Sequence, residues 1–239
     1  MPTPRTGPVI GLLAQVVMLA ALAATVGLGA AGWLVGAGYG VVMCAVLTWG
    51  LDRSGTDGFG PADRVTLTRA TLVGGVAALA VDSLDRPVPV PVLVSLAIVA
   101  LALDAVDGRV ARSTGTATAF GARFDMEVDA FLLLTLSVYC ARPFGSWVLA
   151  IGGMRYAFVL AVRLLPWMRA TLPPRYWRKV VAATQGIVLV VATAGALPRS
   201  LVVTALVVSL ALLVESFGRD VAWLRQHRTV PAPAHLPTC

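Results

Sequence analysis

Long apolar runs separated by short polar segments make up most of the chain. No charged residue occurs between Arg5 and Asp52, and further apolar segments follow at about 65–82, 88–107, 120–141, 145–165, 180–197 and 200–217. Because one membrane-spanning helix needs about 20 apolar residues, the first run is long enough for two helices. No strand-like alternation accompanies these runs. The pattern therefore predicts eight helices.

Composition places these helices in a membrane. Of the 239 residues, 58% are apolar and only 13% are charged. A soluble domain of this length could not bury so much apolar surface, and it would carry about twice the share of charge. Only helices and closed barrels satisfy the backbone in lipid, and continuous apolar runs are typical of helices. We therefore predict an all-α fold, a polytopic membrane helical bundle.

The charges indicate an orientation. The formal net charge is +7, and the basic residues concentrate in segments 108–123 and 163–179 and after residue 218. The positive-inside rule then places both termini in the cytoplasm of a multi-pass protein of the cell membrane. A nucleic-acid-binding protein would be richer in charge overall, so no nucleic-acid partner is expected. Residues Ala21-Leu22-Ala23 leave open a cleaved N-terminal signal peptide.

Four aspartates interrupt the apolar pattern where two predicted helices meet. Asp104 and Asp107 lie three residues apart near the end of one helix, and Asp125 and Asp129 lie four apart near the start of the next. Each pair therefore shares one helix face, and the short link makes the two helices antiparallel neighbours. Because a carboxylate within a membrane helix costs about 2.5–3.5 kcal/mol, four of them need a compensating partner. We expect the two pairs to converge at one membrane depth.

The chemistry of this group suggests divalent ions and a phosphate ligand. Oxygen ligands without His or Cys suit Mg²⁺ or Mn²⁺, and four carboxylates can hold two ions, an arrangement used for displacement at phosphorus. Gly108, Ala111 and Gly121 leave room beside the acids for a bulky ligand. Arg112 can neutralise a phosphate there.

The stretch from Asp104 to Asp129 resembles the signature of the CDP-alcohol phosphotransferase family. That pattern, D-x2-D-G-x2-A-R-x8-G-x3-D-x3-D, is matched at every fixed position and gap. The resemblance implies a six-helix membrane core from about Val65 to Phe217, to which two N-terminal transmembrane helices are added. It also implies transfer of a substituted phosphoryl group from a CDP-linked donor, CDP-diacylglycerol in many members, to the hydroxyl of an alcohol, with release of CMP.

The resemblance implies roles for individual residues. Two Mg²⁺ ions would be held by Asp104, Asp107, Asp125 and Asp129, and Asp129 would also act as general base. The donor site would comprise Asp107, Gly108, Ala111, Arg112, Thr118 and Gly121. Arg69 is similar to the arginine of the family's Asn-x-Leu-Thr-x-x-Arg segment, so it would either reach the donor phosphates or extend to the membrane interface.

A second group of polar residues suggests an acceptor site. Arg155 lies in the middle of an apolar segment, where an arginine either pairs with an acid or contacts a substrate phosphate. Lys179 and Gln185 resemble residues of phosphatidylglycerolphosphate synthases, although Val181-Ala182 replace the Lys-Thr pair of those enzymes. Arg178 and Lys179 favour an anionic acceptor or simply follow the cytoplasmic charge bias. The sequence does not decide between these interpretations, and it does not identify the acceptor alcohol.

These inferences divide the chain into four segments. They are a two-helix transmembrane extension at 1–50, a cytoplasmic linker at 51–64, a six-helix catalytic membrane domain at 65–217 and a disordered cytoplasmic tail at 218–239. The expected partners are a CDP-linked lipid donor, a polar alcohol, membrane lipids and, by family resemblance, a second copy of the chain. An ion or proton transporter with a carboxylate relay is the alternative, and it would release no CMP.

Overall fold

Eight α-helices account for nearly all of the described chain. The computed structural model describes residues 6–54, 61–114, 119–169 and 176–226. The helices are α1 (Thr6–Val26), α2 (Ala30–Ser54), α3 (Pro61–Asp82), α4 (Val90–Thr114), α5 (Ala119–Phe144), α6 (Leu149–Leu164), α7 (Tyr176–Ala194) and α8 (Arg199–Gln226). Short 3₁₀ turns lie at Ser146–Val148 and Pro166–Arg169. These ranges contain no strand, so the prediction of an all-α fold is confirmed.

Six helices are long and apolar enough to cross a membrane: α1, α2, α3, α6, α7 and α8. The apolar part of α4 is shorter and ends at Asp104. In α5 the first turns carry Arg123, Asp125, Glu127 and Asp129, which interrupt its apolar sequence. The two helices that do not meet this criterion, α4 and α5, are therefore the two that carry the four aspartates singled out in the sequence. The chain is a multi-pass membrane protein.

The centre of the bundle is α3. In its apolar span 78% of the residues are buried, against 17–39% in the other five candidate spans. It packs against α1, α2, α4 and α5. Alanines at 70, 77, 78 and 80 are all buried on α3, and such small side chains let neighbouring backbones approach closely. Large apolar side chains on the outer helices are exposed, as lipid contact requires.

The α1–α2 pair is fastened to α3 at two levels. The Asp82 carboxylate accepts hydrogen bonds of 3.1 and 3.0 Å from the Gly29 amide at the start of α2, where negative charge also suits the helix dipole. Farther along, the buried Gln15 amide donates to the Gly36 carbonyl at 3.3 Å and lies against Gly74, where a Cβ would come within 2.5 Å of it. The N-terminal pair is thus an integral part of the helix packing.

Two predicted boundaries differ from the structure. α8 does not end at 217 but runs to Gln226, because the buried stripe of Leu213 and Ser216 continues through Asp220 and Leu224. The segment assigned to the linker is shorter, since α2 extends to Ser54 and α3 begins at Pro61. Residues 55–60 and 227–239, which include the rest of the predicted linker and tail, lie outside the described residues.

Candidate active site

The course of the chain brings three helix segments to one end of the bundle. Consecutive antiparallel helices place the first half of α3, the last half of α4 and the first half of α5 at the same level. Arg69, Asp104, Asp125 and Asp129 lie in these segments. α7 runs in the same direction as α5, because the Cys140 sulfur near the end of α5 lies 3.4 Å from the Thr193 hydroxyl near the end of α7. The first turns of α7 therefore lie at this end as well.

Three carboxylates converge at this end and form what we call the acid cluster, which consists of Asp104, Asp125 and Asp129. One oxygen from each lies within 4.8 Å of those from the other two. Their side chains are 32–40% exposed, so they are accessible to a ligand. The expected convergence of acids from facing helices is therefore observed for these three aspartates.

Arg69 binds all three members of the acid cluster. Its Nη1 donates to Asp104 Oδ1 at 2.7 Å, and its Nη2 donates to Asp129 Oδ1 at 3.0 Å and to the backbone carbonyl of Asp125 at 3.1 Å. The Asp125 carboxylate also contacts Nη2. The Arg69 side chain is only 1% exposed. It therefore does not extend to the membrane interface, which was one of the two interpretations of this residue.

The acid cluster has the chemistry of a divalent-cation site. Three carboxylates against one guanidinium give these four side chains a formal charge of −2. All the offered ligand atoms are oxygens, which Mg²⁺ and similar hard ions prefer. Ligands of one Mg²⁺ ion at about 2.1 Å are at most about 4.2 Å apart, so a small contraction of the cluster would suffice. The residues present therefore fit a divalent ion.

Several predicted site residues are described in part or not at all. Asp107, Gly108, Ala111 and Arg112 belong to the last turns of α4, where only the helical backbone is described. Thr118 lies outside the described residues. Gly121 lies on α5 one turn before Asp125, beside the acid cluster. The donor-binding roles of all these residues stay predictions.

A tyrosine of the N-terminal extension reaches the surroundings of the acid cluster. The Tyr39 ring on α2 stacks on Phe131 of α5, with ring centroids 4.8 Å apart and an interplanar angle of 16°. The Tyr39 hydroxyl is buried and has no hydrogen-bond partner within the described part of the chain. Nearer the end of α2, Gly50 packs against Phe120, and a Cβ there would overlap the ring. The α2 helix therefore borders the first half of α5, a contact that the sequence did not indicate.

Arg155 is paired with an acid that sequence analysis did not assign to the site. Its Nη2 lies 2.5 Å from Glu127 Oε1, and the two side chains are 31% and 53% exposed. Glu127 is two residues from both Asp125 and Asp129, so it projects about 160° away from them around α5. The ion pair therefore lies between α5 and α6, on another side of α5 from the acid cluster.

The remaining candidates for acceptor binding lie on α7. Arg178 pairs through Nε with Asp220 of α8 at 3.0 Å, while Lys179 beside it is exposed. Gln185 is fully buried: its Nε2 donates to the Ser209 carbonyl at 2.9 Å, and its Oε1 accepts from the Ser209 hydroxyl. An acceptor contact by Gln185 would require these bonds to break. Its assignment to the acceptor site stays a prediction.

Sequence analysis assigned Arg69 to the donor phosphates or to the membrane interface and did not pair it with the aspartates. A signal was nevertheless present in the sequence. If consecutive helices are antiparallel, the start of α3, the end of α4 and the start of α5 lie at the same end of the bundle. An arginine near the start of α3 therefore lies at the same level as the aspartates.

Comparison with known proteins agrees with the signature. A family model described as CDP-alcohol phosphatidyltransferase matches residues 59–214. No match is found among curated proteins or among solved structures. The matched range contains α3 to α7, most of α8 and every predicted site residue, and it leaves out α1 and α2.

Proposed function

The chain belongs to the CDP-alcohol phosphatidyltransferase family, and on that premise we propose that it transfers a phosphatidyl group from CDP-diacylglycerol to the hydroxyl of a polar alcohol, releasing CMP. The observation that carries this proposal is the acid cluster at one end of a bundle of membrane helices. The family supports a transferase that acts on CDP-linked substrates in a lipid environment. The donor, the acceptor and the metal dependence are part of the proposal.

The position of the acid cluster favours a lipid donor. The three acids lie on helices whose neighbours are long and apolar, and large apolar side chains cover the outside of the bundle. A donor with acyl chains can keep those chains among the lipids while its pyrophosphate enters the end of the bundle. A fully water-soluble donor would give no reason to place the chemistry within membrane helices.

Mg²⁺ is proposed as the cofactor, with two ions held by Asp104, Asp107, Asp125 and Asp129. When bound, the ions would reduce the repulsion between the anionic pyrophosphate and an incoming hydroxyl, and they would polarise the leaving CMP. For three of these ligands the convergence described above supports the proposal. Mn²⁺ has similar ligand preferences and is expected to replace Mg²⁺.

The chain's own residues would bind the substrates and move the proton. Asp129 would accept the proton of the acceptor hydroxyl as that oxygen attacks phosphorus. Arg69, Asp107 and Arg112 would belong to the binding site of the CDP-linked donor. The same site would be lined by Gly108, Ala111, Thr118 and Gly121. The general-base role is taken from the family resemblance.

The acceptor is proposed to be an anionic or otherwise polar alcohol. Arg178 and Lys179 begin α7 at the end of the bundle that carries the acid cluster. Arg155 lies within the apolar span of α6, paired with Glu127. These cations, with Gln185 on α7, are the candidates for acceptor binding. A phosphorylated alcohol would suit them best.

The proposal is tested by incubating the purified full-length protein in detergent or nanodiscs with CDP-diacylglycerol, Mg²⁺ and a panel of alcohols. Polar, phosphorylated and unphosphorylated acceptors are compared, CMP is quantified and the lipid product is identified by mass spectrometry. We expect Mg²⁺-dependent CMP release with one class of acceptor. Absence of CMP release with every alcohol, combined with ion flux through reconstituted vesicles, would instead support a transporter.

We also propose that the protein lies in the cell membrane with its active site facing the cytoplasm, and that it forms a homodimer. The basic loops support the orientation, and family resemblance supports the dimer. Reporter fusions at each terminus would test the orientation, since both termini are expected in the cytoplasm. Mass measurement of the protein in nanodiscs would test the dimer.

A further inference from the structure

Arg69 occupies the place where a divalent cation would be expected. Among the described residues it is the largest fully buried side chain, and it extends from the central helix into the acid cluster. Through its two terminal nitrogens it reaches acids of both α4 and α5.

The charges of this arrangement are mutually dependent. A guanidinium buried to this degree is stable only when acids compensate its charge, and three carboxylates within 4.8 Å repel each other unless a cation lies between them. Arg69 therefore meets both requirements without any ion. The same carboxylates, however, are the ligands that a divalent ion would use.

The contact distances differ between the two cations. The guanidinium holds Asp104 and Asp129 at 2.7 and 3.0 Å, whereas Mg²⁺ needs oxygen ligands at about 2.0–2.1 Å in a near-ideal octahedron. A guanidinium and a Mg²⁺ ion consequently cannot share the same carboxylate lone pairs with good geometry. Occupation by one weakens the contacts of the other.

We propose that Arg69 is a positioning residue that acts as the internal counter-ion of the acid cluster: it holds Asp104, Asp125 and Asp129 together in the ion-free protein and is released from them by divalent-ion binding. Once released, the guanidinium becomes available to the donor's pyrophosphate. This inference rests on the proposed function for the identity of the ion and of the donor. The inference adds an order of events: the divalent ions bind first, and only then can Arg69 contact the donor's pyrophosphate.

The inference is tested with Arg69→Gln, which removes the charge. We expect a lower unfolding temperature than wild type in EDTA, a larger increase on adding Mg²⁺, and at least about tenfold tighter Mn²⁺ binding by electron paramagnetic resonance. Arg86→Gln is the matched control. It removes an arginine from an ion pair with Asp82 at the opposite end of α3, so it should leave the Mg²⁺-induced increase and the Mn²⁺ affinity at wild-type values.

Equal or weaker Mn²⁺ binding by Arg69→Gln would overturn the inference. If that variant folds in neither buffer, the comparison moves to Arg69→Lys, which keeps the charge but lacks the fork that bridges several acids. Arg69→Lys must then bind Mn²⁺ more tightly than wild type, and unchanged affinity overturns the inference. Recovery of Arg69→Gln only in the presence of Mg²⁺ would support it.

These measurements involve neither donor nor acceptor, so they separate the two proposals. Tighter Mn²⁺ binding by Arg69→Gln without any CMP release by the wild type would contradict the proposed function and leave the counter-ion role intact. CMP release by the wild type, with unchanged Mn²⁺ affinity in the variants, would support the proposed function and contradict the counter-ion role of Arg69. A wild-type protein that binds no Mn²⁺ would overturn the ion site and this inference together.

Discussion

Arg155, which lies within the candidate membrane span of α6, forms an ion pair with Glu127 on α5. Charged side chains at such depth are expensive and usually face a polar cavity or a partner group. The pair is partly exposed, so the guanidinium can exchange Glu127 for another anion. This relationship makes Arg155 the most testable of the proposed acceptor ligands.

Arg155→Gln is expected to weaken acceptor binding. Loss of a hydrogen bond to a charged group removes about 1.5–3 kcal/mol, which corresponds to a decrease of about 10–100-fold in kcat/KM for the acceptor. The KM for the CDP-linked donor should stay unchanged. Steady-state kinetics with each substrate varied in turn measures both values.

Two variants control for the loss of charge. Glu127→Gln leaves the guanidinium without its competing carboxylate and should lower the acceptor KM. Arg219→Gln removes an exposed arginine paired with Glu215 one turn away and should change neither KM. An unchanged acceptor KM in Arg155→Gln would restrict this residue to packing between α5 and α6.

Asp129→Asn is expected to abolish turnover while the donor still binds. General-base catalysis contributes about 10²–10⁴-fold to rates, and an amide cannot accept the acceptor's proton. Excess Mg²⁺ should not restore turnover in this variant. CMP release and donor binding, measured separately, distinguish loss of chemistry from loss of affinity.

Asp125→Asn is the matched comparison, since Asp125 is assigned only to ion binding. Its activity should recover in part as the Mg²⁺ concentration rises. Recovery of Asp129→Asn to the same extent would contradict the general-base assignment, because the two aspartates would then act alike.

Gly152 and Gly153 are neighbours with opposite surroundings. A Cβ on Gly152 would lie 2.4 Å from the Leu134 Cα, whereas a Cβ on Gly153 would meet no atom within 4 Å in the described structure. Gly152→Ala should therefore force α5 and α6 apart and destabilise the protein by about 1–3 kcal/mol. Gly153→Ala should be neutral or stabilising by up to about 1 kcal/mol. Thermal unfolding of the two variants in the same detergent tests the contrast, and equal losses would show that this close approach is not maintained.

Tyr39→Phe should not destabilise the protein. The ring stacks on Phe131, but its buried hydroxyl has no partner in the described part of the chain, so removing that hydroxyl eliminates an unsatisfied polar group. Tyr39→Ala also removes the stacked ring and should cost about 3–5 kcal/mol. A clear drop in the unfolding temperature of Tyr39→Phe would indicate a hydrogen-bond partner among residues outside the described ranges.

Much of the helical organisation could be predicted because it depends on local pattern. The lengths of the apolar runs and the polar breaks between them are properties of neighbouring residues, and they were sufficient for eight helices in the observed order. The end of α8 could not be predicted in this way. Asp220 appears polar in sequence, yet it is buried against Arg178 and continues the helix as part of its buried stripe.

Similarly, the sequence did not indicate how the N-terminal pair packs. The apolar run of α2 carries no feature that distinguishes its lipid-facing side from its buried side. Gly36 and Gly40 lie on the side that packs against α1 or α3, because larger residues there would collide with Leu19 and Gln15. The stacking of Tyr39 on Phe131 depends on this rotation of α2 and could be recognised only in three dimensions.

Residue spacing along a helix and a short link between two helices are local properties, so they were enough to predict that the aspartates share helix faces and that their helices are neighbours. Which cation contacts the aspartates depends on tertiary packing. Arg69 is separated from Asp104 by 35 residues and from Asp129 by 60. Contact across such separations depends on how α3 packs between α4 and α5, which many side chains throughout the bundle determine together.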